Sequence, residues 1–143
     1  MDESARGLSA SYRSARRLDN LENSTVYLVD DDFAVRESLQ ALLESEGFRV
    51  ADFATGQAFL DAASELAKGC LVLDLRMPEV DGFQVLETLR TRGIRIPTIV
   101  LTGHGDASVE ERVRQAGARC MLHKPVQEEE LFKALRAALV AQP

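Results

Sequence analysis

Polar side chains suited to metal and phosphate chemistry follow four short apolar segments of this sequence. They are the acidic run at residues 30–32, Asp74, Thr102, and Lys124, which stands between His123 and Pro125. Carboxylates that lie close together repel one another, which raises their pKa and destabilises a fold unless a cation lies among them. An all-oxygen cluster suits a hard ion such as Mg²⁺, which keeps positions open for phosphoryl oxygens. If the fold brings these segments together, we therefore expect a site for Mg²⁺ and a phosphoryl group, with the lysine and the hydroxyl group holding further phosphoryl oxygens.

One carboxylate of this set is the expected nucleophile, because the sequence contains no GxGxxG motif, no GxSxG motif and no other glycine-rich phosphate loop. Asp74 is the best candidate, since it ends the apolar segment CLVLD. Pro78 and Gly82 in the segment that follows, LRMPEVDG, are typical of a turn that keeps the backbone open around Asp74.

A parallel sheet would bring these residues together at the carboxyl-terminal ends of its strands. Segments rich in apolar and β-branched residues alternate with segments of helical period, which is typical of successive βα units. The predicted strands are residues 26–29, 49–53, 70–73, 98–101 and 120–123. Ligands of an open parallel sheet bind beyond the carboxyl ends of its strands, where the polar residues stand. The second strand carries Arg49 and Asp52 and is predicted to be an outer strand of the sheet. Helix ends are predicted at Gly47, Gly69, Gly93 and Gly117.

The composition predicts one compact domain in the cytoplasm. The chain has 143 residues, of which 45% are hydrophobic, and its 17 basic and 23 acidic residues give a net charge of −6. That charge has the wrong sign for binding a nucleic acid backbone, so we expect no direct nucleic acid binding. Cys70 and Cys120 lack CxxC spacing, which favours a reducing compartment. No segment resembles a secretion signal or a membrane span, so we expect no membrane partner.

Residues 1–24 are predicted to be a polar extension that precedes a domain at residues 25–143. The four acids of the extension balance its four arginines, so the whole net charge of −6 lies on the domain. Leu8, Tyr12, Ala15 and Leu18 recur at helical spacing, which permits a short helix, while so polar a composition is also typical of a flexible segment.

Four motifs together resemble the receiver domain of two-component response regulators. They are VDDD at residues 29–32, LDLRMPEVDG at 73–82, LTGHG at 101–105 and HKP at 123–125. The resemblance covers residues 25 to about 141, and within the family it is greatest to receivers attached to helix-turn-helix output domains. It implies a doubly wound, flavodoxin-like α/β fold with a five-stranded parallel sheet of order 2-1-3-4-5.

The resemblance implies a phosphorylation switch that is not a turnover enzyme, although it catalyses its own phosphorylation and dephosphorylation. Asp74 would accept a phosphoryl group from a histidine kinase or a phosphotransfer protein. The other matching residues are Asp30, Asp31, Asp74 and the backbone carbonyl of Arg76 for Mg²⁺, Thr102 and Lys124 for the phosphoryl group, and Arg76 and His104 as tuners of dephosphorylation. The Lys124–Pro125 peptide bond is expected to be cis.

Met121 departs from the family pattern, which usually places Tyr or Phe three residues before the lysine. In the family this ring moves inward with the hydroxyl group of the residue matching Thr102, and so couples the site to the surface of the fourth helix, fifth strand and fifth helix. A thioether is flexible and specifies a conformation poorly, so weaker coupling is expected in this chain. That same surface is the expected homodimer interface, and transcription is the expected output, through an output domain that this chain does not contain.

Several of these residues also have simpler interpretations. Asp32 is better explained as the N-cap of a helix beginning near Phe33 than as a metal ligand. His104 and His123 fit no zinc spacing and are expected at the surface. A Mg²⁺-dependent phosphohydrolase could use the same aspartate chemistry, but its usual second acid would stand where Arg76 does. A flavin-binding module of the same fold would need a Ser/Thr/Gly-rich loop after the first strand, where three aspartates stand instead.

Overall fold

The structure is a computed structural model that describes residues 24–140, in which strands and helices alternate along the chain. The strands are β1 (Thr25–Val29), β2 (Arg49–Phe53), β3 (Gly69–Asp74), β4 (Thr98–Thr102) and β5 (Cys120–His123). The helices are α1 (Phe33–Ser45), α2 (Gly56–Ala62), α3 (Gly82–Thr91), α4 (Ala107–Gln115) and α5 (Glu128–Val140), and a 3-10 turn at Ala63–Glu65 follows α2. All five predicted strands are confirmed to within one residue at each end.

The five strands form one parallel sheet of order β2-β1-β3-β4-β5, which confirms the predicted topology. β3 lies at the centre and is buried along its whole length, whereas β2 lies at an edge and exposes Arg49 and Asp52, as predicted. Because all strands point the same way, the residues that follow β1, β3, β4 and β5 meet at one edge of the sheet.

Two apolar layers bury the two faces of the sheet. Alternate residues of a strand point to opposite faces, so Tyr27 and Val29 pack with α2, α3 and α4, while Val26 and Leu28 pack with α1 and α5. A strand covered on both faces must be apolar at nearly every position, which explains the continuous apolar segments of the sequence.

Helix ends are set by local side-chain and backbone chemistry. Asp32 is the N-cap of α1, as predicted, because its carboxylate accepts a hydrogen bond from the Val35 amide at 3.1 Å. Gly47, Gly93 and Gly117 follow α1, α3 and α4 with φ angles of 95°, 72° and 112°, which confirms three of the four predicted helix ends.

The prediction that Gly69 ends a helix is wrong. Gly69 is the first residue of β3, and its φ is not positive. A Cβ there would lie 2.1 Å from the carbonyl oxygen of Thr25, so glycine is required by the close approach of β1 and β3 rather than by a helix end.

Residues 1–23, most of the predicted extension, lie outside the described residues. Within residues 24–140, no helix combines the length and the apolar character needed to cross a bilayer. Cys70 and Cys120 are free thiols, the first buried and the second half-buried. Burial raises the pKa of the Cys70 thiol to about 12, as expected of a residue that fills the core.

Candidate functional site

The carboxyl-terminal edge of the sheet brings the predicted site residues together. Asp30 directly follows β1 and is fully buried, and Asp74 ends β3 with 5% of its surface exposed. Thr102 ends β4 and is also fully buried, while Lys124 follows β5 and is half-buried. Asp31, next to Asp30, is exposed and faces solvent. Such burial of charged residues is unusual unless they are paired, which points to a built site.

Lys124 bridges the two buried carboxylates. Its Nζ lies 2.9 Å from Oδ2 of Asp30 and 3.3 Å from Oδ1 of Asp74. Burial lowers the pKa of Lys124, but the hydrogen bond to Asp30 and the charge of Asp74 outweigh burial, and the net pKa is raised. The ammonium group therefore stays charged between the two carboxylates. The Lys124–Pro125 peptide bond that follows is cis, as predicted.

The surroundings of Asp74 change the pKa of its carboxyl group. Burial, followed by the negative charge of Asp30, raises the pKa of Asp74 to about 6. The Lys124 ammonium group and the backbone amide of Arg76, 3.4 Å from Oδ1, oppose this rise without cancelling it. The Lys124 ammonium group thus offsets only part of the cost of ionising Asp74 beside Asp30, and a further cation would be favoured at this point.

Asp30, Asp31 and Asp74 have the geometry of a cation site. One carboxylate oxygen of each lies within 4.8 Å of the others. Three carboxylates are hard oxygen ligands, and the exposed side of Asp31 leaves room for water and phosphoryl oxygens, so the residues present fit Mg²⁺. Asp32 does not belong to this set, since its carboxylate caps α1 while its amide donates to Oδ1 of Asp30 at 2.9 Å.

Arg36 supports Asp30 from the first turns of α1, a role that the sequence pattern did not indicate. Its Nη1 donates to the backbone carbonyl of Asp30 at 2.7 Å, and its Nε donates to Oδ2 of Asp52 on β2 at 3.1 Å. The Asp30 amide in turn donates to the carbonyl of Phe53 at 3.2 Å. The side chain of Arg36 is only 12% exposed, so this arginine is part of the site's support rather than a solvated charge.

The loop after Asp74 folds back against the end of β3. The Gly82 amide donates to the Leu75 carbonyl at 2.9 Å, and a Cβ at Gly82 would lie 2.8 Å from the Cα of Leu75 and 3.0 Å from the carbonyl oxygen of Asp74. Only glycine permits this approach, and Gly82, which the sequence predicted to keep a turn open, is instead the first residue of α3 and closes the loop against the end of β3. Arg76 and Pro78 are exposed on the outer side of the loop.

The loop after β4 brings Gly105 close to the side chains of both Thr102 and Met121. The Thr102 Oγ1 accepts a hydrogen bond from the His104 amide at 3.2 Å. A Cβ at Gly105 would lie 2.7 Å from Cγ2 of Thr102 and 2.5 Å from Cε of Met121, which is 6% exposed. Nε2 of His123 lies 3.2 Å from the Gly105 carbonyl oxygen. His104 and His123 are both exposed, as predicted. Gly105 is part of the LTGHG motif, but the sequence did not indicate that its close contacts with Thr102 and Met121 require glycine.

Comparison with known protein families matches residues 26–136 to the response regulator receiver domain. The sequence is 44% identical over 124 residues to the response regulator protein TmoT of Ectopseudomonas mendocina, covering 87% of this chain and 56% of TmoT. It is 43% identical over 118 residues to the transcriptional regulatory protein FixJ of Azorhizobium caulinodans, covering 82% of this chain and 56% of FixJ. The chain therefore spans little more than half the length of these relatives.

Solved structures of similar proteins have the same architecture. The crystal structure of FixJ-N superposes with a TM-score of 0.79 at 37% identity, covering 85% of this chain and 97% of that one. The low-resolution structure of the response regulator StyR gives a TM-score of 0.76 at 41% identity, covering 82% of this chain and 60% of that one.

Proposed function

This chain belongs to the family of response regulator receiver domains, signalling proteins of two-component systems, and from that membership we propose that Asp74 accepts a phosphoryl group from a phosphohistidine. The donor would be a histidine kinase or a phosphotransfer protein. The observation that carries the proposal is the position of Asp74. It is a buried carboxylate at the end of the central strand, 3.3 Å from an ammonium group and within 4.8 Å of two further carboxylates.

Transfer requires that the P–N bond to the donor histidine breaks while a P–O bond to an Asp74 carboxylate oxygen forms. Negative charge on the phosphoryl oxygens must be balanced during this exchange. Lys124 would balance it, and support comes from its raised pKa, which keeps the ammonium group charged at 3.3 Å from Asp74. In this chain no general base is needed at Asp74, because the carboxylate that attacks is already ionised above a pH of about 6.

Mg²⁺ would be held by the carboxylates of Asp30, Asp31 and Asp74 together with the backbone carbonyl of Arg76. When bound, the ion supplies positive charge against the phosphoryl oxygens and the clustered carboxylates. Because the ion binds only the folded chain, adding Mg²⁺ should raise the melting temperature by mass action. Asp31→Ala, at an exposed position, should abolish most of that rise; an undiminished rise would exclude the assignment of Asp31.

The conformational response would pass through Thr102. Its hydroxyl group would turn from the His104 amide toward the phosphoryl group, and the Thr102–Gly105–Met121 contact would carry that movement to the surface formed by α4, β5 and α5. This surface is the proposed homodimer interface. Exposed Arg76 and His104 would set how readily water reaches the phosphoryl group and hence the rate of dephosphorylation.

We further propose that the complete regulator controls transcription through a helix-turn-helix output domain. Support comes from the relatives, one of which is named a transcriptional regulatory protein and is nearly twice as long as its matched region. The whole net charge of −6 lies on residues 25–143, so nucleic acid binding is not assigned to the receiver domain.

The experiment that tests this function is the uptake of one phosphoryl group from acetyl phosphate, measured by intact mass. Uptake is expected with Mg²⁺ and should be lost when the ion is chelated. Uptake at the same rate in excess chelator would refute the metal-dependent mechanism, and no uptake from either acetyl phosphate or a phosphorylated histidine kinase would refute the function.

A further inference from the structure

A cavity lies at the amino-terminal ends of the strands, on the opposite side of the sheet from Asp74. Its volume is about 570 Å³, and Gly69 and Thr98, the first residues of β3 and β4, form part of its wall. The floor is apolar and comprises Phe59, Leu66, Leu86, Leu89, Ile94 and Ile96. A volume of this size is typical of sites that bind a ligand or a group of side chains, yet the phosphorylation chemistry makes no use of it.

The mouth of this cavity is positively charged. Among the described residues that line it are Lys68, Arg90, Arg95 and Arg119, and none of those lining residues is acidic. Arg90 already pairs with Glu87, whereas the salt bridges within residues 24–140 do not include Arg95 or Arg119. This is unusual in a domain that carries a net charge of −6. The cavity therefore favours an occupant with an apolar face and acidic groups beside it.

The chain itself enters the fold at the rim of this cavity. Thr25, the first residue of β1, pairs directly with Gly69, and the two backbones are so close that no Cβ fits at Gly69. Residues 1–23 precede this point, and Glu22 is only three residues from Thr25, a reach of at most about 10 Å. The carboxyl end of the preceding segment is thus within reach of Lys68 and the cavity mouth.

The sequence of that segment matches the chemistry of the cavity. Helical spacing aligns Leu8, Tyr12, Ala15 and Leu18, and the same spacing, continued in steps of four and three residues from Ala15, adds Asp19 and Glu22 to that face. Arg13 and Arg17 fall on the opposite side of such a helix. One face would therefore offer apolar side chains for the floor and two carboxylates for the positively charged mouth.

We propose that residues 8–22 of this chain dock in the cavity at the amino-terminal edge of the sheet. Tyr12 and Leu18 enter the apolar floor, and Asp19 and Glu22 pair with Arg95 and Arg119. This intramolecular contact does not depend on Asp74, so its test and that of the phosphorylation site are independent of each other.

The first test compares Tyr12→Asp with Ala10→Asp by NMR on the complete chain. Both variants add one negative charge, but Ala10 falls on the side of the helix away from Tyr12. Tyr12→Asp should shift the amide resonances of Lys68, Arg95 and Gly117 and speed hydrogen exchange of residues 8–22 by about tenfold or more, whereas Ala10→Asp should do neither. Equal spectra and equal exchange in the two variants would overturn the proposal.

The second test reverses the charges. Arg95→Glu with Arg119→Glu should speed exchange of residues 8–22 as Tyr12→Asp does, and adding Asp19→Lys with Glu22→Lys should restore slow exchange. If the quadruple variant does not restore the slow hydrogen exchange of residues 8–22, intramolecular docking is overturned.

Two other occupants of the cavity are distinguished by titration. Shifts of the cavity resonances that grow with protein concentration would identify a second copy of the chain as the occupant. Equal shifts on adding decanoate, an anionic amphiphile, to wild type and to Tyr12→Asp would identify a small ligand that meets no competition from residues 8–22. Either result would overturn intramolecular docking, which predicts no concentration dependence and a larger decanoate response in Tyr12→Asp.

Discussion

The guanidinium group of Arg36 holds the backbone of Asp30 in place from outside the cluster of carboxylates. Nη1 of Arg36 donates to the Asp30 carbonyl at 2.7 Å, while Nε is anchored on Asp52 at 3.1 Å. Asp30 is fully buried, so protein contacts rather than solvent determine its position. Arg36 is therefore a positioning residue for the proposed metal site.

We predict that Arg36→Ala weakens Mg²⁺ binding about tenfold, because residues that orient metal ligands affect affinity to this extent. Isothermal titration with Mg²⁺ measures the effect. Arg92→Ala is a matched control, since Nη1 of Arg92 donates to the Leu60 carbonyl at the same distance of 2.7 Å, far from the carboxylates. If both variants bind Mg²⁺ as the wild type does, Arg36 has no positioning role.

We predict that Asp74→Asn stabilises the metal-free fold at neutral pH by about 3 kcal/mol, since one unit of pKa corresponds to about 1.4 kcal/mol. The pKa of Asp74 is raised from 3.8 to about 6 in the folded chain, so the ionised carboxylate opposes folding. The wild type escapes this penalty when Asp74 is protonated. The advantage of the variant should thus be full above pH 6, shrink as the pH falls from 6 to 4, and vanish below that.

Denaturant unfolding in the presence of chelator, repeated across this pH range, measures the difference. Saturating Mg²⁺ should stabilise the wild type more than the variant and so reduce the difference at pH 7. A difference that does not change between pH 4 and pH 7 would show that the protonation of Asp74 is not its source.

Gly105→Ala should destabilise the fold by about 1–3 kcal/mol and slow phosphorylation, because the new methyl group meets Thr102 and Met121 at once. Gly103→Ala is the matched control, two residues earlier in the same loop. A Cβ at Gly103 has no neighbour within 4 Å, so this variant should leave both stability and rate nearly unchanged. Equal effects of the two changes on unfolding and on acetyl phosphate uptake would disprove a special role for the close contact at Gly105.

Met121→Phe should strengthen the coupling between phosphorylation and self-association. Met121 is already buried with 6% exposure, so little inward movement is available to it when the site is phosphorylated. The phenyl ring of the variant is larger and would have to move further when the site is phosphorylated. Sedimentation with and without a beryllofluoride phosphoryl mimic should show a larger increase in dimer for the variant, whereas an equally strong increase in wild type would mean that an aromatic ring is not required.

The fold and the main site residues could be predicted because local sequence determines them. An apolar segment that ends on a polar residue predicts both a buried strand and a polar side chain at its carboxyl end, as at Asp74 and Thr102. Asp32 is predictable as a cap for a similar reason, since its partner amide lies three residues away. Once the strands are known to be parallel, the carboxyl ends must meet.

Contacts between distant segments are not predictable in the same way. Arg36 reaches Asp52 across 16 residues, and its sequence position is that of an ordinary helix charge. The role of Gly69 depends on the close approach of β1 and β3, which follows from strand register and cannot be inferred from a glycine alone. Met121 stands out in the sequence as a departure from the family pattern, but its contact with Gly105 requires the loop geometry.

The most direct test of the account is the position of the phosphoryl group after reaction with acetyl phosphate and Mg²⁺. Peptide mass spectrometry after trapping of the acyl phosphate should place the label on Asp74 alone, and Asp74→Asn should take up none while remaining folded. A label on Asp30 or Asp31 in the wild type, or undiminished labelling of Asp74→Asn, would contradict the assignment of Asp74 as the phosphoacceptor.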